Sequence, residues 1–367
     1  MSEAFDVAII GAGMAGASLA AECAPYARVL LVEAEDAPGY HTTGRSAAFW
    51  EKTYGGPGVY PLTMASGRFL IEGGYLAPRG ALQIGQAQDR DKVEAFVEKF
   101  AALGVTLYLQ DRAALIDRIP GLRADWVVGA WEPECADIDV ARLHQHYLAA
   151  AKRTGTVLRV RARVQAIERE GEGWRIAWDG GEAKAAILAN AAGAWADDVA
   201  VRAGGRALGI APLRRTIVQL RTDPAPADSQ PLTFGINEDF YFKPQGGRLW
   251  LSPHDEIPDV AGDAAPEELD VAIAIDRFEQ VVDWNIAAVE RRWAGLRSFA
   301  PDRLPVYGYD AEVERLFWFA GQGGFGIQTA PAAARLAAQL LLGVPRDDLT
   351  AEIDATAYAP GRFSAAG

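Results

Sequence analysis

The chain has 367 residues, half of them hydrophobic, and its 49 acidic against 36 basic side chains leave a net charge of −13. Such a chain can bury a sizeable core as one large or two ordinary domains, while its acidity excludes a broad nucleic-acid footprint or attraction to anionic membranes. Its two cysteines, Cys23 and Cys135, lie far apart and outside any metal or CxxC spacing, which excludes a disulfide framework and suits a reducing compartment.

In chain order, FDVAII (5–10) is short, apolar and β-branched and reads as a buried strand. Neither a basic n-region nor an uninterrupted apolar span accompanies it, so a cytoplasmic protein with no transmembrane segment is expected. GAGMAG follows without a spacer. Gly11 permits a tight turn, Gly13 lets backbone approach a pyrophosphate, and Gly16 lets the helix that opens at Met14 and Ala15 pack against the strand. Orphan N–H groups and the dipole at that helix start favour an anion. RVLLVE ends in Glu33, about 20 residues past the glycines, where an acid accepts hydrogen bonds from ribose hydroxyls. Together these form a βαβ dinucleotide fingerprint that suits NAD or FAD alike.

DAPGYHTTGRSAAFW (36–50) is too rich in glycine and hydroxyls for a regular element and is expected to face the cofactor, with N–H groups around Gly44, the Ser46 hydroxyl and the Arg45 charge turned to a phosphate or a flavin edge. From Glu51 to Cys135 come short strands and helices, including the amphipathic RDKVEAFVEKFAALG and the strand-like DWVVGAWEP, a first piece of a second domain. An amphipathic helix at DIDVARLHQHYLAAAKRTG precedes the strands TVLRV, RVQAIERE and GWRIAWDG. AKAAILANAAGAWADDVA then repeats the strand–glycine–helix logic of the opening and marks a return to the nucleotide domain. Residues 206–292 leave it again through RRTIVQL, LTFGI, FYFKP, RLWLS and the helix APEELDVAIAIDRFEQVV. The last third holds WAGLRSFAPD, the strand RLFWFAG and GQGGFGIQT, a glycine loop feeding an alanine-rich helix. A helix start aimed at a flavin stabilises the negative charge that develops there on reduction, a benefit a nicotinamide would hardly share.

The four histidines, His41, His144, His146 and His254, form no metal pattern and read as surface or core, and no GxSxG or Cys/His pair supports nucleophilic catalysis. A substrate carboxylate would need a buried cation with fork geometry. Arg297 in WAGLRSF is the leading candidate, with Tyr241 in FYFKP as a hydroxyl donor and Arg215 of the RR pair behind it.

GAGMAGASLA, PGYHTTGRSAA, NAAGAWAD, FYFKP, WAGLRSFAPD and GQGGFGIQT, in this order from near residue 5 to near 329, resemble the D-amino-acid oxidase family of FAD-dependent oxidoreductases, and within it the bacterial D-arginine dehydrogenases. The resemblance implies an α/β fold: a glutathione-reductase-like Rossmann FAD-binding domain (1–48, 139–205 and 293–367) interleaved with an α+β substrate domain on an antiparallel sheet (49–138 and 206–292). It implies that FAD is held by Gly11, Gly13, Met14, Ala15, Gly16, Glu33, Ala34, Thr43, Gly44, Arg45, Ser46, Ala47, Ala192, Gly193, Trp195 and the loop Gly321, Gly323, Gly324, Gly326, Ile327, Gln328 and Thr329, with the backbone of Val164 near the adenine. Arg215, Tyr241 and Arg297 match positions that grip the substrate carboxylate, and Gln328 lies beside the flavin ring. No cysteine lies in the last third, where related sarcosine oxidases attach flavin, so noncovalent FAD is expected.

Phe49 and Ala81 stand where D-arginine dehydrogenase has a histidine and a guanidinium-binding glutamate. Without that carboxylate a buried guanidinium would be unpaired. Phe49, Trp50 and Tyr54, with Ala81 and Gly324, suggest instead a pocket for an apolar or aromatic side chain. The expected reaction is oxidative deamination of a D-amino acid to a 2-oxo acid and ammonia, with oxygen or a quinone-like compound as electron acceptor, by a monomer or homodimer. An N-methyl amino acid, a secondary amine or a 2-hydroxy acid as substrate, and a non-catalytic flavin-binding subunit of a redox complex, are the alternatives.

Overall fold

The computed structural model describes residues 3–363. The apolar run at the N-terminus forms strand Glu3–Ile10, which lies between Gly181–Asn190 and Val29–Val32 and is parallel to both. Val157–Arg159 extends this sheet in parallel beyond Val29–Val32, and Leu316–Ala320 pairs in parallel with the far end of Gly181–Asn190. The antiparallel strands Gly173–Trp178, Val164–Glu170 and Val306–Tyr309 complete eight strands. Strand Val29–Val32 is buried at every position, as expected of a parallel strand covered on both faces. On one face Met14–Cys23 packs beside Val140–Arg153 and the alanine-rich Ala330–Leu342, whose small side chains let helices approach closely.

A ten-stranded sheet forms the second layer. Its spine is the antiparallel pair Ala211–Asp223 and Asn285–Phe299, in which Leu213 opposes Arg297 and Arg215 opposes Gly295. Arg248–Ser252, Tyr241–Gln245 and Leu232–Gly235 follow as a meander, and Ala81–Gln86, Trp126–Glu132 and Tyr108–Asp111 continue the sheet. Helix Glu268–Glu279 covers one face, where Val271, Ala274 and Phe278 join the buried side chains of these strands. A three-stranded sheet of Phe49–Trp50, Ala136–Ile138 and Leu76–Pro78 lies between the large ones.

The chain visits the first sheet three times, and the second also three times, the last through the two-residue strand Gln322–Gly323. The expected boundary at 292/293 falls inside the single strand Asn285–Phe299, which stays in the second sheet throughout; charged residues on its outer half hid its length. Helix Tyr60–Glu72 begins with Pro61 in its first turn but has no side-chain cap, so little in the local sequence announces it. Among the described residues, no helix is long and apolar enough to cross a membrane.

Candidate active site

The cofactor end of the site follows from crowding around the first glycine turn. Gly11 has φ +97°, and a Cβ there would lie 2.6 Å from the Ala191 carbonyl oxygen; a Cβ on Gly16 would run into the Gly11 carbonyl. Only glycine lets strand, turn and helix close this tightly. At the end of Val29–Val32, buried Glu33 accepts from the Ala12 N–H at 2.9 Å and from the Glu35 N–H at 3.0 Å, so its carboxylate is locked at the turn. His144 lies behind the turn: burial holds it below its ordinary pKa, and its Nε2 bonds the Ala12 carbonyl oxygen at 2.9 Å.

A cavity of about 330 Å³ runs from this cradle to the second sheet. Of the residues expected to hold a cofactor, Gly11, Gly13, Met14, Ala15, Glu33, Ala34, Thr43, Arg45, Ser46, Ala47, Val164, Ala192, Gly193, Trp195, Gly323, Gly324, Gly326, Ile327 and Gln328 line it. Gly16, Gly44, Gly321 and Thr329 do not. Gly16 packs on Gly11, Gly44 donates to the Gly39 carbonyl at 2.8 Å, Gly321 faces Val306 and Ala300, and Thr329 is the buried cap of the last helix. Arg45 is engaged otherwise than expected: its guanidinium bonds the carbonyls of Ala264 and Ala294 at 2.8 and 3.0 Å and pairs with Asp263, strapping the 259–266 loop to the site.

At the other end, strand alternation turns Arg215 and Arg297 to the cavity from neighbouring strands, while Arg214 faces away to Asp259, Glu267 and Asp270. Arg297 donates from Nη1 to Tyr54 Oη at 3.0 Å and from Nη2 to Glu256 Oε1 at 2.6 Å, and its buried Nε has no partner among the described residues. Arg215 donates from Nε to the Asp255 carbonyl at 2.8 Å, and its Nη2 is buried without a hydrogen-bond partner among the described residues. Burial and the Arg297 charge pull Arg215 below its ordinary pKa. Burial alone would raise Glu256, but Arg303, Arg297 and Arg215 overcome it and hold the carboxylate ionised. Tyr241 is buried with the Arg215 guanidinium 5.7 Å above its ring, and burial raises its phenol.

Phe49, Tyr54, Phe234, Tyr241 and His254 form a connected aromatic wall, with ring centroids 5.1 to 6.5 Å apart. His254, which sequence alone reads as surface or core, joins the site because the chain reversal after Arg248–Ser252 brings it here. Its φ is +54°, rare for a side-chain-bearing residue, and its Nδ1 lies 2.7 Å from the Glu238 carbonyl oxygen, which requires the proton on Nδ1. Burial, then Arg215 and Arg297, drive its pKa down to about 2, so the ring is neutral. Phe234 was likewise unmarked. Two expected pocket residues lie outside the cavity. Trp50 points to the opposite side of its strand from Phe49 and donates to the Thr63 carbonyl at 3.0 Å, and Ala81 is buried in the layer behind, beside Cys135 and Leu232. Gln328 is buried, with Oε1 accepting the Glu51 N–H at 3.1 Å and Nε2 donating to Thr63 Oγ1 at 3.0 Å.

A parallel-sheet dinucleotide cradle opening onto a sheet that carries paired arginines is the arrangement of a flavin-type oxidoreductase; that second sheet is mixed rather than purely antiparallel as expected, because Leu232–Gly235 and Ala81–Gln86 pair in parallel. Residues 6–340 match the model of the DAO family, FAD dependent oxidoreductases, and the chain belongs to that family. It is 29% identical over 253 residues to the bifunctional protein ThiO/ThiG of Synechocystis, covering 66% of this chain but only 36% of that protein's length. Its fold matches the L-proline dehydrogenase of P. horikoshii with TM-score 0.85 and 21% identity, covering 99% of each chain. It matches the glycine oxidase of Geobacillus kaustophilus with TM-score 0.84 and 21% identity, covering 98% of this chain and 99% of that one. These likenesses lie at the level of the family and do not single out D-arginine dehydrogenase.

The cofactor is therefore FAD, and the residues present fit it. The glycine turn, whose backbone closes on Ala191 only because Gly11 has no Cβ, faces the cavity, no acid occupies the first turn of Met14–Cys23, and the cavity continues to Gln328 and Arg297.

Proposed function

We propose that the chain oxidises the Cα–N bond of an amino acid, specifically a D-amino acid with an apolar or aromatic side chain. The product imino acid is hydrolysed to a 2-oxo acid and ammonia. The observation that carries this reading is the pair of buried, incompletely satisfied guanidiniums at the aromatic end of the cavity, Arg215 Nη2 and Arg297 Nε. An unpaired buried donor is costly, and a carboxylate satisfies both while matching guanidinium fork geometry. Charge agrees: among the described residues Arg215, Arg297 and Arg303 pair only with Asp255 and Glu256, which leaves one positive charge for one carboxylate. Phe49, with Phe234 and Tyr54, offers an apolar wall to the side chain and no counter-ion for a cationic one. The D configuration rests on the motif resemblance. Supporting the amino-acid class, two proteins of this fold are named for oxidation of glycine and proline.

Bound FAD supplies the two-electron acceptor. The protein's part is positioning: Arg215, Arg297 and Tyr241 hold the carboxylate, and the aromatic wall fixes Cα and keeps water off it. His254, neutral with its proton donated to the Glu238 carbonyl, is no base at neutral pH, so the substrate enters by losing its ammonium proton to water. An N-methyl amino acid, a carboxylated secondary amine or a 2-hydroxy acid would use the same clamp.

The test is anaerobic mixing of the yellow protein with D- and L-amino acids, then admission of air. Bleaching by D-phenylalanine or D-leucine with ammonia release is expected, and the speed of recolouring separates oxygen from a quinone-like acceptor. Bleaching only by N-methyl amino acids or 2-hydroxy acids replaces the substrate; bleaching by none leaves a non-catalytic flavin-binding subunit.

A further inference from the structure

Behind the aromatic wall lie two carboxyl groups for which positioning the substrate has so far given no use. Glu51 and Glu132 are 1% and 2% exposed. Glu51 Oε1 accepts from Thr53 Oγ1 at 2.8 Å and from Gln83 Nε2 at 3.4 Å, and Glu132 Oε1 accepts from the Lys52 N–H at 2.8 Å. The second oxygen of each is buried without a partner among the described residues.

Among the described residues no cation forms an ion pair with either acid, and the Lys52 charge lowers Glu132 only behind burial, which dominates. Lys52 extends its Nζ away to Glu134 at 2.5 Å, Lys243 Nζ is bound to Asp137 at 2.7 Å, and Arg79 is also on Asp137. Cys135, the remaining titratable neighbour, is a buried thiol kept neutral by burial and by these same acids. Two carboxyls bonded to neighbouring residues of one turn, Glu51 to Thr53 and Glu132 to Lys52, resist ionising together in a medium this apolar, so the pair retains a proton. Burial, reinforced for Glu51 by the Glu132 charge, pushes both well above the ordinary carboxyl range.

The turn that carries Glu51 is also bonded to the site. The Glu51 N–H donates to Gln328 Oε1, Gln328 Nε2 donates to the Tyr54 carbonyl at 3.3 Å, and Tyr54 Oη receives Arg297 Nη1. A continuous path thus runs from the acid pair to the carboxylate clamp.

We propose that Glu51 and Glu132 are positioning residues: sharing one proton, they clasp the 51–54 turn to strand Trp126–Glu132 and so hold Gln328, Tyr54 and, through Tyr54, Arg297 in place for a bound carboxylate. When that proton leaves, two like charges face each other in the interior, the turn is driven off the strand, and Arg297 loses its Tyr54 contact. This inference rests on the reading of Arg215 and Arg297 as a carboxylate clamp.

The experiment titrates FAD-loaded protein with benzoate, a carboxylate that stays ionised throughout, and follows the flavin absorbance at pH 6 and pH 9 for wild type, Glu51→Gln and Glu132→Gln, with thermal midpoints under the same conditions. A proton-dependent clasp makes the wild-type Kd rise about tenfold or more over this range, a factor of ten per pH unit once the proton titrates. Glu51→Gln supplies amide donors in place of the proton, so its Kd at pH 6 stays near wild type and changes less than about threefold by pH 9. Glu132→Gln behaves alike and covers the case in which the first variant fails to fold. A flat wild-type profile, or equal pH dependence in both variants, overturns the proposal. If benzoate binds wild type at neither pH, the clamp reading falls, and the midpoints decide the clasp: an alkaline drop as large in both variants as in wild type overturns it.

Discussion

Arg297 and Arg215 differ from the other arginines of the second sheet in what they lack. Arg214, beside Arg215 in the chain, has three carboxylates of its own, whereas the two cavity arginines share Glu256 with Arg303. Arg297→Met is therefore expected to lower kcat/KM by roughly 100-fold or more, the effect of deleting one member of a buried charge pair, while bound FAD is unchanged. Steady-state kinetics beside the visible spectrum checks both, and unchanged catalysis would remove Arg297 from the site. Phe49 meets Tyr54, Phe234 and Tyr241 at once. Phe49→Ala removes that wall, and KM for apolar substrates should rise about 10- to 100-fold with a smaller fall in kcat, since the lost contact serves ground and transition states alike. A KM within twofold of wild type would place the side-chain pocket elsewhere.

Among the elements, the opening strand, turn and helix have the least tolerance. The helix start abuts the turn at Gly16, where any Cβ meets the Gly11 carbonyl. Gly16→Val should yield protein purified largely without flavin and with a thermal midpoint lower by several degrees, as expected of about 1–3 kcal/mol of overpacking. Full yellow occupancy would show that the helix can shift without losing the cradle. The strands Ala211–Asp223 and Asn285–Phe299 are rigid by contrast, paired along thirteen registered positions, which suits elements that must hold two guanidiniums at fixed separation.

For the molecule as a whole, buried acids set the pH response. Glu51 and Glu132 titrate higher in the folded chain than in the unfolded one, mainly because of burial. Between the two values the folded chain binds more protons, so the stability these groups contribute is fully present below the unfolded carboxyl pKa and is lost as pH rises through the folded values. Buried His144 and His254, held below their ordinary pKa, oppose this at lower pH, so the midpoint of the FAD-free protein should fall between about pH 7 and pH 9, and calorimetry across that range reads it directly. A midpoint rising steadily to pH 9 would mean that the pair is ionised already at low pH. At this scale the layered architecture explains why one chain is read as interleaved segments: each departure from the parallel sheet supplies strands that wall the cofactor cavity, and each return supplies a loop beneath it.

Local patterning by itself determined the dinucleotide cradle, because turn geometry, helix start and terminal acid are short-range demands met within 29 residues, from Phe5 to Glu33. It also marked Arg297, Tyr241 and Arg215 as candidates, since arginine and tyrosine are unusual in apolar strands. It did not separate Phe49 from Trp50, which strand alternation sends to opposite sides. Nor could it reveal His254, Phe234, the Glu256 bridge or the Glu51–Glu132 pair, which depend on contacts between segments distant along the chain. Those were decided only by tertiary structure, because desolvation, charge pairing and the sharing of a proton are properties of neighbours in space.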